Sequence, residues 1–549
     1  MSRISGSQLA AESLQRIGVR DFFFLMGGPM NNLLRAAINL GLRGVDVRHE
    51  QAAAMMAHAY ARVLNRPGVC MGASGPGTIN LTTGLATALV DCSPVVALGG
   101  SSPVAEMGTG AFQEIDQVAI MRPVTKWAER VYETRRIPEL IDAAFRQSLS
   151  GRPGPVYLDL PADVLYQEVD LDTVRWPDFS RTLQRARPRG DPALIAQTIT
   201  LLEAAERPVV LSGSGVFWSG AEARLREWLD LTGMPIYTTP QGRGVLPEDH
   251  PNALLNARAS ALREADFILV VGTRLNYVFG GGLPPRISGK ARLVRIDIDP
   301  AEIGLGHRAD VGILGDCGAV LSQLIDAALG RVTADRYLAW REHLERIDAP
   351  KREAQELKMA TDQTPIHPLR LCREIRDFID RDAILVVDGQ EILNFGRQSI
   401  PTFLPRHRLN SGTFGTMGVG LPFGLGAKVA DPARQVVVLH GDGSFGLNGF
   451  ELDTAIRHNI PVLVVVSLNG GWTADPEGNK PGRYLGYTRF DLIAQALGCH
   501  GEYVERPEDI RPALERAGAA VAAGRTALVN VVTDSKARAT TTKFTHTMT

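Results

Sequence analysis

The segment VVVLHGDGSFGLNGFELDTAIRHNIPVLVVVSLNGGW, residues 436–472, limits the fold more than any other part of the chain. Val436–Leu439 is an unbroken β-branched and apolar run, which reads as a strand buried on both faces. Gly441-Asp442-Gly443 follows it. Helical apolar spacing then appears at Phe450, Leu452, Ala455 and Ile456, and Pro461 ends it. Val462–Val466 is a second buried run, with Asn469 at its end. Strand, helix and strand make one βαβ unit with parallel strands. The carboxyl ends of both strands then open on one crevice, where open α/β sheets bind ligands. Asp442 and Asn469 are therefore expected side by side.

The same pattern recurs along the chain. DFFFLM, VDVRHE, GVCMGA, PVVALGG and GPVYLDLP alternate with helical stretches in a first domain, residues 1–180. RPVVLSGSG, MPIYTTP, ADFILVVGTRLN and ARLVRIDIDP build a central domain, residues 190–345. AILVVDGQE, RQVVVLHGDG, IPVLVVVSLN and TALVNVVTD build a third, residues 365–535, and a Thr-rich tail, 536–549, closes the chain. Two Pro-containing polar stretches, RWPDFSRTLQRARPRGDP and KREAQELKMATDQTPIHP, read as linkers. The expected fold class is α/β, with three doubly wound parallel-sheet domains. A length of 549 residues suits that number. With 59 basic and 60 acidic residues, no net field favours nucleic acid or an anionic membrane. The five cysteines (70, 92, 317, 372, 499) show no paired spacing, which fits a reducing, cytoplasmic setting. The first 30 residues show no secretory leader pattern, and no apolar run is long enough to span a membrane.

A lone Gly-Asp-Gly is compatible with a simple turn. Placed at a strand end beside Asn469, it becomes a candidate hard-cation site. One carboxylate, one amide oxygen and the Gly471 carbonyl suit Mg²⁺, which completes its shell with phosphate oxygens and water. The pattern resembles the diphosphate-binding motif of thiamine diphosphate enzymes, a Gly-Asp-Gly followed by Asn-Asn. The second Asn falls on Asn469; Leu468 stands in place of the first.

Four further motifs carry the same resemblance. In VDVRHEQAAAMMAHAYAR, Glu50 ends a strand and opens an apolar helix. The resemblance makes it the residue that hydrogen-bonds the cofactor's pyrimidine ring and activates it. GASGPGTINLTTGLATA resembles the family's Ser-Gly-Pro-Gly turn. In SGTFGTMGVGLPFGLGA, Met417 would be the apolar wedge that bends the cofactor, and the Gly415 carbonyl would accept from its amine. VVDGQEILNFGRQ places Gln390 and Glu391 near the diphosphate. Gly443, Ser444, Trp472 and Thr473 complete the implied cofactor set, and Asp442, Asn469 and Gly471 the implied metal set. The family builds each site from the first domain of one subunit and the third of another. That implies a homodimer at minimum, usually within a homotetramer.

GTGAFQEIDQVAIMRPVTKWAERV resembles a loop shared by the synthase and CoA-using branches. Gln113 would orient a substrate oxygen, with Gly28 and Phe112 beside it. Phe112 lacks a hydroxyl often found there in oxalyl-CoA decarboxylases. Arg258 matches an arginine near the CoA channel of CoA-using relatives. Lys536, Arg538 and Lys543 would belong to a C-terminal lid closing over a CoA-thioester. In the central domain, Arg152, Gly213, Arg274 and Asp297 are the candidate ADP site. The implied family is that of the thiamine diphosphate-dependent 2-hydroxyacyl-CoA lyases and oxalyl-CoA decarboxylases. The nearest type within it cleaves 2-hydroxyisobutyryl-CoA to formyl-CoA and a ketone. The alternatives are an oxalyl-CoA decarboxylase and a CoA-independent carboligase of the acetohydroxyacid synthase type.

Overall fold

The structure is a computed structural model that describes residues 2–304, 309–472 and 481–539. Three parallel sheets form in chain order, each fed by helices on both faces. The first has six strands in the spatial order Arg43–Asp46, Asp21–Phe24, Gly68–Gly72, Val95–Ser101, Val156–Pro161 and Trp127–Arg130. The central sheet has five: Ile236–Thr238, Pro208–Ser212, Phe267–Val271, Arg292–Asp297 and Val311–Leu314. The third has six: Arg408–Leu409, Ile384–Asp388, Val436–Gly441, Leu463–Leu468, Ala527–Val532 and His500–Val504. Numbered by sequence within its own sheet, the first and the third both run 2-1-3-4-6-5. A small antiparallel pair, Arg3–Ser5 with Glu168–Asp170, ties the ends of the first domain together.

The opening segment folds as its pattern predicts, with two adjustments. Val436–Gly441 and Leu463–Leu468 are parallel neighbours, Val437 opposite Leu463 and Gly441 opposite Ser467. The second strand starts and ends later than the apolar run suggested. The connection holds two short helices, Asp442–Asn448 and Glu451–Arg457, rather than one.

The second expected linker needs a correction. A helix runs from Leu338 to Met359, so all of KREAQELKM is helical, and Pro350 lies inside the helix. Its buried positions are few: Trp340, Leu344, Asp348 and Met359. Trp340 and Leu344 pack in a central-domain core and Met359 in the third-domain core. So sparse an apolar stripe hides the helical period from the sequence.

The helix Glu50–Leu64 packs on Gly420–Ala430 of the third domain. A Cβ on Gly426 would lie 2.3 Å from the Met56 carbonyl oxygen, so glycine permits that approach. One apolar core consequently runs through both domains. All five cysteines are buried and free. No helix among the described residues is long and apolar enough to cross a membrane.

Candidate active site

A cleft opens at the carboxyl ends of the third sheet. Gln390, Met417, Asp442, Gly443, Ser444, Asn469, Gly471 and Trp472 all line it. Asp442 is the first residue of its helix and is buried. One carboxylate oxygen accepts from the Gly443 N–H at 2.8 Å and the other from the Gly470 N–H at 2.8 Å. Burial pushes its pKa up to about 6, against the pull of these backbone donors. A cation would relieve that desolvation. The Asn469 amide oxygen accepts from Gly471 N–H at 3.2 Å, which points it along the same turn. The donor set is oxygen only, with a single carboxylate, and it fits a magnesium ion bridging to phosphate. No group of three or more His, Cys, Asp or Glu that could hold a metal ion exists among the described residues.

Gly443 meets the Trp472 indole. A Cβ there would lie 2.7 Å from the ring, so the indole rests on the first turn of the helix. Thr473 lies outside the described residues. Ser444 donates to the Gly441 carbonyl at 3.0 Å and lies 3.1 Å from the ring nitrogen Nδ1 of buried His440. Gly415 has φ +74 and open space around it, so its carbonyl turn is accessible.

Glu50 is the first residue of its helix and is buried. Asn80 Nδ2 donates to one of its oxygens at 3.0 Å; the other faces Gly77. No residue of the first domain lines the Asp442 cleft of the same chain.

Three family models cover this organisation. They are the thiamine pyrophosphate enzyme N-terminal TPP binding domain at residues 4–120, the central domain at 195–324, and the C-terminal TPP binding domain at 394–531. The chain belongs to the thiamine pyrophosphate enzyme family. It is 32% identical to the mouse 2-hydroxyacyl-CoA lyase 1, over 94% of this chain and 92% of the relative. It is 32% identical to an Arabidopsis thaliana 2-hydroxyacyl-CoA lyase, over 99% and 98%. It is 34% identical to an acetolactate synthase large subunit of Mycobacterium tuberculosis, over 96% and 95%.

Within this thiamine enzyme the loop at 112–117 is fixed from below. Gln117 is buried, accepts from Gly75 N–H at 3.0 Å and donates to the Gly100 carbonyl at 2.7 Å. Gln113 sits at φ +60, with its carbonyl against Gly75. Its side-chain oxygen accepts from Ser74 Oγ at 2.6 Å, which leaves the amide N–H₂ as the outward group. Ser74 also contacts the Gly28 carbonyl at 3.3 Å. Phe112 is 86% exposed, a large apolar surface beside Gln113. The sequence places Ser74 only within a turn; its contact with Gln113, 39 positions away, gives it a polar task.

A second, larger cavity lies where the domains meet. Arg152, Ser214, Gly215, Arg274 and Asp297 line it, with Asp91 and Gly412 from the flanking domains. Gly213 does not: a Cβ there would meet Thr273 at 2.4 Å, so this glycine serves strand packing and its neighbours Ser214 and Gly215 face the space. Arg152 pairs with Glu302 at 3.0 Å and Asp299 at 3.3 Å, and Arg274 donates to the Val90 carbonyl. Burial pushes Asp297 up to about 6.

The last strand's end and the start of the tail border the cleft. Asp534 and Ala537 line it, and the Ala539 N–H donates to Glu391 at 3.0 Å. Lys536 and Arg538 are exposed there. Lys543 and the rest of the tail, 540–549, lie outside the described residues.

Proposed function

We propose that the chain is a thiamine diphosphate-dependent carbon–carbon lyase. It would cleave a 2-hydroxyacyl-CoA, with 2-hydroxyisobutyryl-CoA a fitting example, to formyl-CoA and a ketone or aldehyde. An arginine group carries the thioester half of this reading. Arg258 opens the helix Arg258–Glu264 and is held below the usual guanidinium range by burial and by the Arg286 and Arg243 charges. Arg397 is lowered by burial and by Arg258 and Arg243. It lies on the helix Glu391–Ser399, whose first residues line the Asp442 cleft. Arg243 is itself paired with the buried carboxylate of Glu248, so Arg258 and Arg397 are the guanidinium groups that would meet a ligand with several phosphates, as CoA is.

Bound thiamine diphosphate supplies a carbon nucleophile and an electron sink. Asp442, Asn469 and the Gly471 carbonyl would hold Mg²⁺ and through it the diphosphate, with Gln390, Gly443, Ser444 and Trp472 around them. Met417 and the Gly415 carbonyl would set the pyrimidine. Glu50 would hold the proton shared with that ring through the oxygen that Asn80 does not occupy. Since Glu50 does not line its own chain's cleft, a second copy would bring it, as a homodimer or a tetramer of two. Gln113 would donate from its amide to the thioester or hydroxyl oxygen. The C1–C2 bond breaks, the hydroxyl loses its proton and C1 gains one, so no oxidant enters. Residues 536–549 would act as a lid, and ADP would occupy the interdomain cavity through Arg152, Arg274 and Asp297. The chain would work in the cytoplasm.

A carboligase of the acetolactate synthase type is the second reading, favoured by synthase relatives matched over as much of the chain. A product assay separates the readings. Ketone and formyl-CoA from 2-hydroxyisobutyryl-CoA are expected. Acetolactate from pyruvate, unaffected by removing residues 536–549, would replace the reading, as would CO₂ from oxalyl-CoA with no ketone from the hydroxyacyl thioester.

A further inference from the structure

The approach to Glu50 is held by a residue of the third domain. Between the strand Arg43–Asp46 and Glu50 lie three residues, Val47, Arg48 and His49. Val47 N–H bonds to the Phe24 carbonyl at 2.9 Å, and His49 caps the helix by accepting from Gln51 N–H at 3.1 Å. The Arg48 N–H has neither strand nor helix partner. It donates to both oxygens of Glu451, at 3.1 and 3.3 Å, across 403 positions of sequence. Glu451 is 2% exposed and opens the helix Glu451–Arg457. Thr454, also buried, donates to it at 2.6 Å. Carboxylate oxygens accept, and the Arg48 N–H and the Thr454 hydroxyl both donate to them here.

The same helix grips the strand end from its other side. His458 Nε2 lies 2.6 Å from Asp46, and Arg457 donates to the Asp46 carbonyl at 3.0 Å. These groups are partly solvated, so the buried Glu451 contact is the stiffer one.

We propose that Glu451 is a positioning residue for Glu50: it fixes the backbone two residues ahead of the activating carboxylate. This rests on the reading of Glu50 given above, but not on the identity of the substrate. A displacement of about 1 Å at a reacting group costs on the order of 100-fold in rate. Losing the Glu451 acceptor frees the Arg48 amide and lets the helix start drift against Asn80.

The test uses the full chain and three readouts. In the cofactor-free protein, amide hydrogen exchange across residues 46–50 is expected to quicken about tenfold in Glu451→Leu, which has no acceptor for the Arg48 N–H, with the Asp442 helix unchanged. Titration with thiamine diphosphate and magnesium should give a dissociation constant within about threefold of wild type. With cofactor bound and no substrate present, exchange of the thiazolium C2 proton for deuterium should slow by 10- to 100-fold. Thr454→Val, which keeps the carboxylate but removes its donor, should slow it less. A wild-type C2 exchange rate in Glu451→Leu overturns the proposal. So does parallel loss of cofactor affinity and exchange, which marks general loosening. Glu50→Gln is the reference: if it too leaves C2 exchange unchanged, the reading of Glu50 fails rather than that of Glu451.

Discussion

The first and third sheets share one strand order, yet their corresponding loops hold different chemistry. In the third, the loop after Val436–Gly441 carries Asp442, and the neighbouring strand ends at Leu468 before Asn469. In the first, the corresponding strand Gly68–Gly72 ends in Ser74-Gly75-Pro76-Gly77, with no carboxylate. The first domain places its acid two strands over, at Glu50 after the edge strand Arg43–Asp46. The third places the Gly415–Met417 turn after the matching strand Arg408–Leu409. One scaffold is thus decorated twice. On the proposed reading, a polar anion and metal anchor would sit on one copy and a proton-handling carboxylate on the other. Because the rigid scaffold presents the same loops in both, function follows the loop residues and not the fold.

That division can be broken at either end. Glu50→Gln should cut turnover on the order of 10³-fold while magnesium-dependent cofactor binding persists. Asp442→Asn should do the reverse and weaken that binding on the order of 100-fold. Steady-state rates and cofactor titration by intrinsic fluorescence separate the two. If both variants lose both properties alike, the split between the domains is wrong.

Much of this division is legible in sequence because it is local. Asp442 and Asn469 stand at the ends of strands whose β-branched runs are unmistakable, and Glu50 heads an apolar helix. Glu451, Arg397 and Ser74 were not legible as site residues. Each acts through a partner distant in sequence: Arg48 for Glu451, the Arg258 charge for Arg397, and Gln113 for Ser74. Single-chain periodicity carries no record of such contacts. The helix to Met359 escaped for a different reason, since a mostly solvated helix shows no stripe.

The Glu451 contact joins the two copies of the scaffold, and its titration sharpens the comparison. Burial pushes this carboxyl up to about 7 from 4.5, despite the Thr454 and Arg48 donors. Between those values the folded chain holds a proton that the unfolded chain has lost. Stability from this group is therefore greatest at low pH, falls as pH rises through the window, and is flat above about 7. Glu451→Gln removes the dependence. The wild-type stability, measured against that variant by urea unfolding, should fall by roughly 3 kcal/mol from pH 4.5 to 8. A difference independent of pH would show that Glu451 is not desolvated as its burial implies.

The two glycine turns offer the finest test. At Gly75 the backbone itself needs glycine: φ is +58, and a Cβ would lie 2.6 Å from the Gln113 carbonyl oxygen. At Gly443 the backbone is helical and the obstacle is one side chain, the Trp472 indole. Gly75→Ala should therefore cost stability that no neighbouring truncation restores. Gly443→Ala should cost about 1–3 kcal/mol by overpacking. Combined with Trp472→Ala it should cost less than the sum of the two, with a coupling of roughly 1 kcal/mol. Thermal unfolding of the four variants in each cycle measures this. Additivity at Gly443 would mean that the indole yields freely there. The altered residue after Asn469 would then be a bystander, and the anchor on the third sheet would owe its shape to the Asp442 turn alone.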